Sequence, residues 1–93
     1  MKTITIQIGN SDDKLTQTRW KEYCNQIHEC IRIWGEEIHF SAPSVGWADW
    51  QNAAWVFTCK DLHIPDLRLG VSIIRKDFQQ DSVAWTEGYT KFV

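Results

Sequence analysis

Thr3-Ile4-Thr5-Ile6-Gln7-Ile8 alternates polar and apolar residues, and Trp20, Tyr23, Cys24, Ile27, Cys30, Ile31 and Trp34 then recur at helical spacing. The first pattern has period two and predicts a strand with Ile4, Ile6 and Ile8 on one face. The second covers one arc of a helix, with Lys21, Glu22, Asn25, Glu29 and Arg32 on the solvated side. Thr16 is placed to cap that helix. Leu15 and Trp20 stand at the staple positions on either side of the cap, and Gly35 stands at the end as a C′ glycine. Gly9-Asn10-Ser11-Asp12-Asp13 joins strand to helix. Asp12 and Asp13 are expected there to stabilise the helix start through its dipole.

Working outward, Glu37-Ile38-His39-Phe40-Ser41 alternates again and predicts a second strand. Ala53-Ala54-Trp55-Val56-Phe57-Thr58-Cys59 is apolar at nearly every position, as in a strand covered on both faces. A second helix is expected from Pro65, a favoured first residue, with Ile64, Leu67, Val71, Ile74 and Phe78 as its stripe. Gly70 is placed for close approach to the first helix, while Leu69 and Ile73 lie off the stripe. Ser82-Val83-Ala84-Trp85-Thr86 predicts a strand, Glu87-Gly88 a turn, and Tyr89 to Val93 a further terminal strand.

The order β-α-β-β-α-β resembles the ferredoxin-like split βαβ arrangement. The expected fold is α+β, in one domain over residues 1–93, with two helices on one face of an antiparallel sheet. The resemblance is topological and carries no motif, and this arrangement hosts many unrelated functions.

Composition narrows the function classes. The 93 residues carry 10 Lys and Arg against 12 Asp and Glu, a net charge of −2. That balance argues against a nucleic-acid coat. The chain contains no apolar run long enough to span a bilayer. Met1 to Thr5 alternates like a strand rather than a signal peptide, so a cytoplasmic location is expected. The three Cys, at 24, 30 and 59, form no CxxC pair and read as reduced thiols, without disulfides or a zinc site. Nucleic-acid binding is disfavoured further because the outward residues of the first strand are Thr3, Thr5 and Gln7, with no base-stacking aromatic.

Six Trp are the unusual feature. Trp20, Trp34, Trp55 and Trp85 fall on predicted core positions. Trp47 and Trp50 stand with Asp49 in the long irregular stretch 42–52, either as anchors for a partner or folded back onto the open sheet face. No residue pairing marks a catalytic centre. His28, His39 and His63 lack a recognisable nucleophile, and Glu36 and Glu37 point to opposite faces of a strand. The expected function is therefore a small non-enzymatic interaction protein, with no cofactor. It would act sterically on a protein partner through Trp47, Asp49 and Trp50, in the manner of the small inhibitors that phages and mobile elements direct at host proteins. A homodimer would help so small a domain. Two alternatives come from other classes. One is a small-ligand (nucleotide-like) binder with His39, Trp47 and Trp50 around a pocket. The other is a metal-dependent enzyme using Asp12, Asp13 or Asp49.

Overall fold

The structure is a computed structural model that describes residues 1–10, 12–44 and 50–93. Four strands and two helices follow in the order β1 (Lys2–Gly9), α1 (Gln17–Trp34), β2 (Glu37–Pro43), β3 (Asn52–Cys59), α2 (Ile64–Asp77) and β4 (Ala84–Gly88), with a short 3-10 turn at Asp61–His63 before α2. The sheet order is β2-β3-β1-β4, and all neighbours pair antiparallel. This is the α+β ferredoxin-like arrangement expected from the sequence.

The alternation in β1 decides which face is covered. Ile4 and Ile6 are wholly buried and Ile8 nearly so, facing Phe57, Trp55 and Ala53 of β3 across the pairing register. Each fully buried Ile contributes about 1.5–3 kcal/mol of transfer free energy. Tyr23, Ile27, Cys30 and Ile31 of α1 and Ile64, Leu67 and Val71 of α2 close over the same side. Val56 and Ala54 face the other way and are only half-buried. The third strand therefore alternates in burial, although its composition reads as covered on both faces. Small and β-branched residues on the outward side account for the difference.

Helix ends follow local chemistry. The Thr16 side chain accepts from the Arg19 backbone N–H at 3.2 Å, as the sequence predicts. Asp12 and Asp13 do not join the first turn of α1, which contains no acidic residue. Instead Asn10, buried, grips both backbone polar groups of Leu15. Its Nδ2 donates to the Leu15 carbonyl at 3.0 Å and its Oδ1 accepts from the Leu15 N–H at 3.1 Å. That clip starts the helix at Gln17 and leaves the acids upstream in the loop. Asp12 there accepts from the Lys14 backbone N–H at 3.2 Å.

Gly70 has its expected role, since a Cβ there would lie 2.8 Å from Cys30 Sγ at the α1–α2 seam. Gly35 has a different one. Its φ is −77°, not left-handed, and its N–H donates to the Ile31 carbonyl at 2.6 Å. Residues 89–93 form no strand; they leave β4 as an irregular tail.

Candidate functional site

The open face of the sheet is built from three outward rows, fixed by the register. Thr3 of β1 lies beside Thr58 and Gly88, with Glu37 on β2 next to Thr58. The middle row is Phe40, Val56, Thr5 and Thr86, and the third is Ala42, Ala54, Gln7 and Ala84. Apart from Glu37 and His39 at one corner, these strand positions carry no ionisable side chain. Phe40 is 54% exposed at the centre of edge strand β2. It faces outward because the pairing of β2 with β3 shifts by one residue between Ile38 and Phe40, leaving His39 as the extra residue of a bulge. Strict alternation would have put His39, not Phe40, on this face.

The two ends of the face differ in relief. At the Thr3 end, Met1, Thr3, His39, Val56, Tyr89 and Phe92 line a groove of about 580 Å³. The tail is held there by a hydrogen bond between the Thr90 and Thr3 hydroxyls. Yet Tyr89 is 75% and Phe92 96% exposed, so the pinned tail projects its aromatics away from its own domain. At the other end, Ala42, Ala54, Ala84 and Gln7 help to line a hollow of about 460 Å³, with Ser44, Asn52 and the carboxylates of Asp12 and Asp81 also in its lining.

The predicted partner-binding trio is only partly described. Trp47 and Asp49 lie outside the described residues. Trp50 is 49% exposed, at the start of the segment leading into β3. Its neighbour Gln51 is tied down. The Gln51 carbonyl accepts from the Asn10 N–H at 2.8 Å, and the side chains of Gln51 and Gln17 exchange hydrogen bonds at 2.8 and 3.2 Å. This polar clasp joins the β1–α1 loop and the start of α1 to the residues that enter β3. No spacing rule marks it in the sequence. The structure does not bring His39 and Trp50 together. His39 stands level with Val56, about 13 Å along β3 from Asn52, and Trp50 lies further on.

His28, His63 and Glu87 are engaged structurally. His28 accepts from the Trp55 indole, and His63 packs against the Trp34 ring at 5.8 Å. Burial pushes the Cys24 thiol up to about 11 and raises Cys30 and Cys59 as well, which disfavours the reactive thiolates. Glu87 is shared by three donors, Trp85 Nε1 at 2.8 Å, Arg68 at 3.0 Å and Lys2 at 3.1 Å, with the Arg68 guanidinium over the Trp85 ring at 5.0 Å. This cluster fastens β4 to α2 and β1. Among the described residues, no three His, Cys, Asp or Glu side chains form a group able to hold a metal ion. None of their helices is long and apolar enough to cross a membrane.

No family model matches the chain, and no curated protein matches it. Among solved structures it is similar to a dimeric ferredoxin-like protein of unknown function from Thermobifida fusca YX. The likeness has a TM-score of 0.58 at 12% identity and covers 97% of this chain and 92% of that one. At that identity the likeness shows the fold, and the fold is ferredoxin-like.

Proposed function

We propose that this chain is a non-enzymatic protein-interaction module whose working surface is the open face of the sheet and whose first partner is a second copy of itself. The observation that carries this reading is the uncharged middle of the face, with exposed Phe40 in its middle row and charge kept to its ends, at Glu37 and His39 on one side and Asp12 and Asp81 beside the hollow on the other. A surface of that kind meets its own copy across a two-fold axis without like-charge repulsion. Its size is adequate. Strands of eight, seven, eight and five residues, the longest about 27 Å, give about 450 Å² in projection. Side-chain relief and the tail bring two such faces to the roughly 1,000 Å² that a specific interface needs. The similar Thermobifida protein is described as dimeric, which supports the same reading. Steric action on a further protein, through Trp47, Asp49 and Trp50, is compatible with a paired platform. The comparison with an inhibitor rests on size and general character alone.

Sedimentation equilibrium across a concentration series tests the proposal. A reversible dimer is expected, and Thr5→Lys, which sets a charge in the middle row, should shift it to monomer while circular dichroism stays unchanged. A protein that is monomeric at every concentration overturns the reading. Native mass spectrometry of the same sample separates the alternatives, because an added small mass would favour the ligand-binding reading.

A further inference from the structure

The two ends of the open face are shaped to fit each other. One end carries the pinned tail, with Tyr89 and Phe92 standing almost free of their own domain. The other end is a hollow whose floor includes Ala42, Ala54 and Ala84, the smallest side chains of the face. An aromatic ring left in water forfeits the burial of about 150–250 Å². The alanine floor of the hollow offers methyl contacts to such a ring, and Asp12, Asp81, Ser44 and Asn52 stand among the polar groups around it. Among the described residues, neither the exposed rings nor the alanine floor is covered within one chain. On the same face, the Thr3 row and the Ala84 row are about 13 Å apart.

Resting on the dimer proposed above, we infer that the two copies stack with their strands antiparallel, so that the C-terminal arm of each, led by Phe92, fills the alanine-floored hollow of the other. The axis then passes through the middle row. Phe40, Val56, Thr5 and Thr86 lie over the same row of the second copy, and the two outer rows exchange places. The stacked sheets keep the roughly aligned packing usual for face-to-face sheets, about 10 Å apart. The contact is isologous, so each arm-in-hollow contact occurs twice and a single substitution removes both. The Thr90–Thr3 bond fixes the direction of the arm, and Gly88, with open space around its Cβ position, is where the chain turns off the sheet.

A disulfide trap distinguishes this arrangement from any other dimer. Phe92→Cys combined with Ala84→Cys should give a covalent dimer on a non-reducing gel. A bond within one chain would have to cross about 13 Å between the two rows, far beyond the Cα separation of about 7 Å that a disulfide tolerates. The native thiols do not interfere, because Cys24 and Cys30 lie on α1 and Cys59 points to the helix side. Phe92→Cys alone should stay uncrosslinked, since the two tails sit at opposite ends. Phe92→Ala should weaken dimerisation roughly tenfold or more with the monomer fold intact. If the dimer persists but Phe92→Cys crosslinks to itself, or the double variant does not crosslink or closes only within one chain, the arrangement is overturned while the dimer stands. If Phe92→Ala dimerises as tightly as the parent, the arm is not in the hollow. If no dimer sediments at all, both proposals fail together.

Discussion

The indole N–H of Trp55 donates to Nδ1 of His28 at 3.2 Å, joining the centre of β3 to the middle of α1. Trp55 is almost fully buried, and its single polar atom needs an acceptor there. The sequence places His28 beside the helical core stripe, where it could be taken for a catalytic group. Its observed task is to satisfy a core tryptophan. His28→Ala should therefore cost about 1–3 kcal/mol, because it leaves a buried donor without a partner. Trp55→Phe, which removes the donor as well, should make the second change at His28 much less costly. Urea denaturation of the two single variants and the double variant checks this, and strictly additive losses would sink it.

Gly35 makes a second prediction that separates two explanations of the same residue. A left-handed C′ glycine would tolerate Asn better than Ala. Here the backbone is extended, and a Cβ would meet the Ile31 carbonyl oxygen at 2.6 Å and Phe57 Cδ2 at 3.2 Å. Gly35→Ala and Gly35→Asn should both destabilise, by about 1–3 kcal/mol, since each inserts atoms into an already packed seam. A near-neutral Gly35→Asn in thermal or chemical unfolding would restore the left-handed explanation.

Much of the fold is legible in the sequence because its signals are periodic. The Ile4, Ile6, Ile8 alternation and the Tyr23–Ile27–Ile31 stripe each point to a single face, and the structure buries those faces. What escaped depends on contacts between segments distant in sequence. The bulge at His39, which turns Phe40 outward, arises from pairing with β3. The clasp of Asn10, Gln17 and Gln51 joins residues 34 and 41 positions apart. The sequence places Gly35 at the helix end but does not show why glycine is needed there, because the proximity of Phe57 is a tertiary fact. The tail could be drawn as a strand from Tyr89 to Val93, yet the residues that hold it, Thr3 and Thr90, pair through side chains. The candidate surface itself was legible only as an uncovered face; its relief, raised at one end and hollow at the other, required the register.

Tyr23 carries a third prediction. Its ring stacks on Phe78 at a centroid distance of 5.0 Å, and Trp20 meets it edge-on at 6.1 Å. Its buried hydroxyl has no hydrogen-bond partner among the described residues. Removing that hydroxyl keeps the packing and deletes a desolvated polar group. Tyr23→Phe should thus raise stability by up to about 1 kcal/mol, contrary to the usual loss when a bonded hydroxyl is removed. Burial, opposed only in part by Arg75, pushes the Tyr23 phenol up to about 12. In the unfolded chain it titrates near 10. Between those values the unfolded state sheds the proton more readily, so stability falls as pH rises from about 10 to 12. The Phe variant should show a flatter profile in that window. A loss of stability at neutral pH would mean that the hydroxyl has a partner.

Glu87 gives the corresponding prediction in acid. The Trp85 indole N–H, then the Lys2 ammonium, and more weakly the Arg68 guanidinium hold its carboxyl below the usual glutamate range. A carboxylate whose folded value is depressed contributes stability above its unfolded value, near 4.3. That contribution is lost as pH falls through the lower folded value. The parent chain should accordingly lose stability more steeply than Glu87→Gln as the pH drops below about 4.3, and the two should converge in acid. Above that range the variant should be the weaker, because Lys2 and Arg68 no longer share a charge between β1 and α2. Urea midpoints measured across the acid range decide it. Parallel profiles would show that the Glu87 charge adds nothing to the hold, and that the cluster fastens β4 by packing of Arg68 on Trp85 alone.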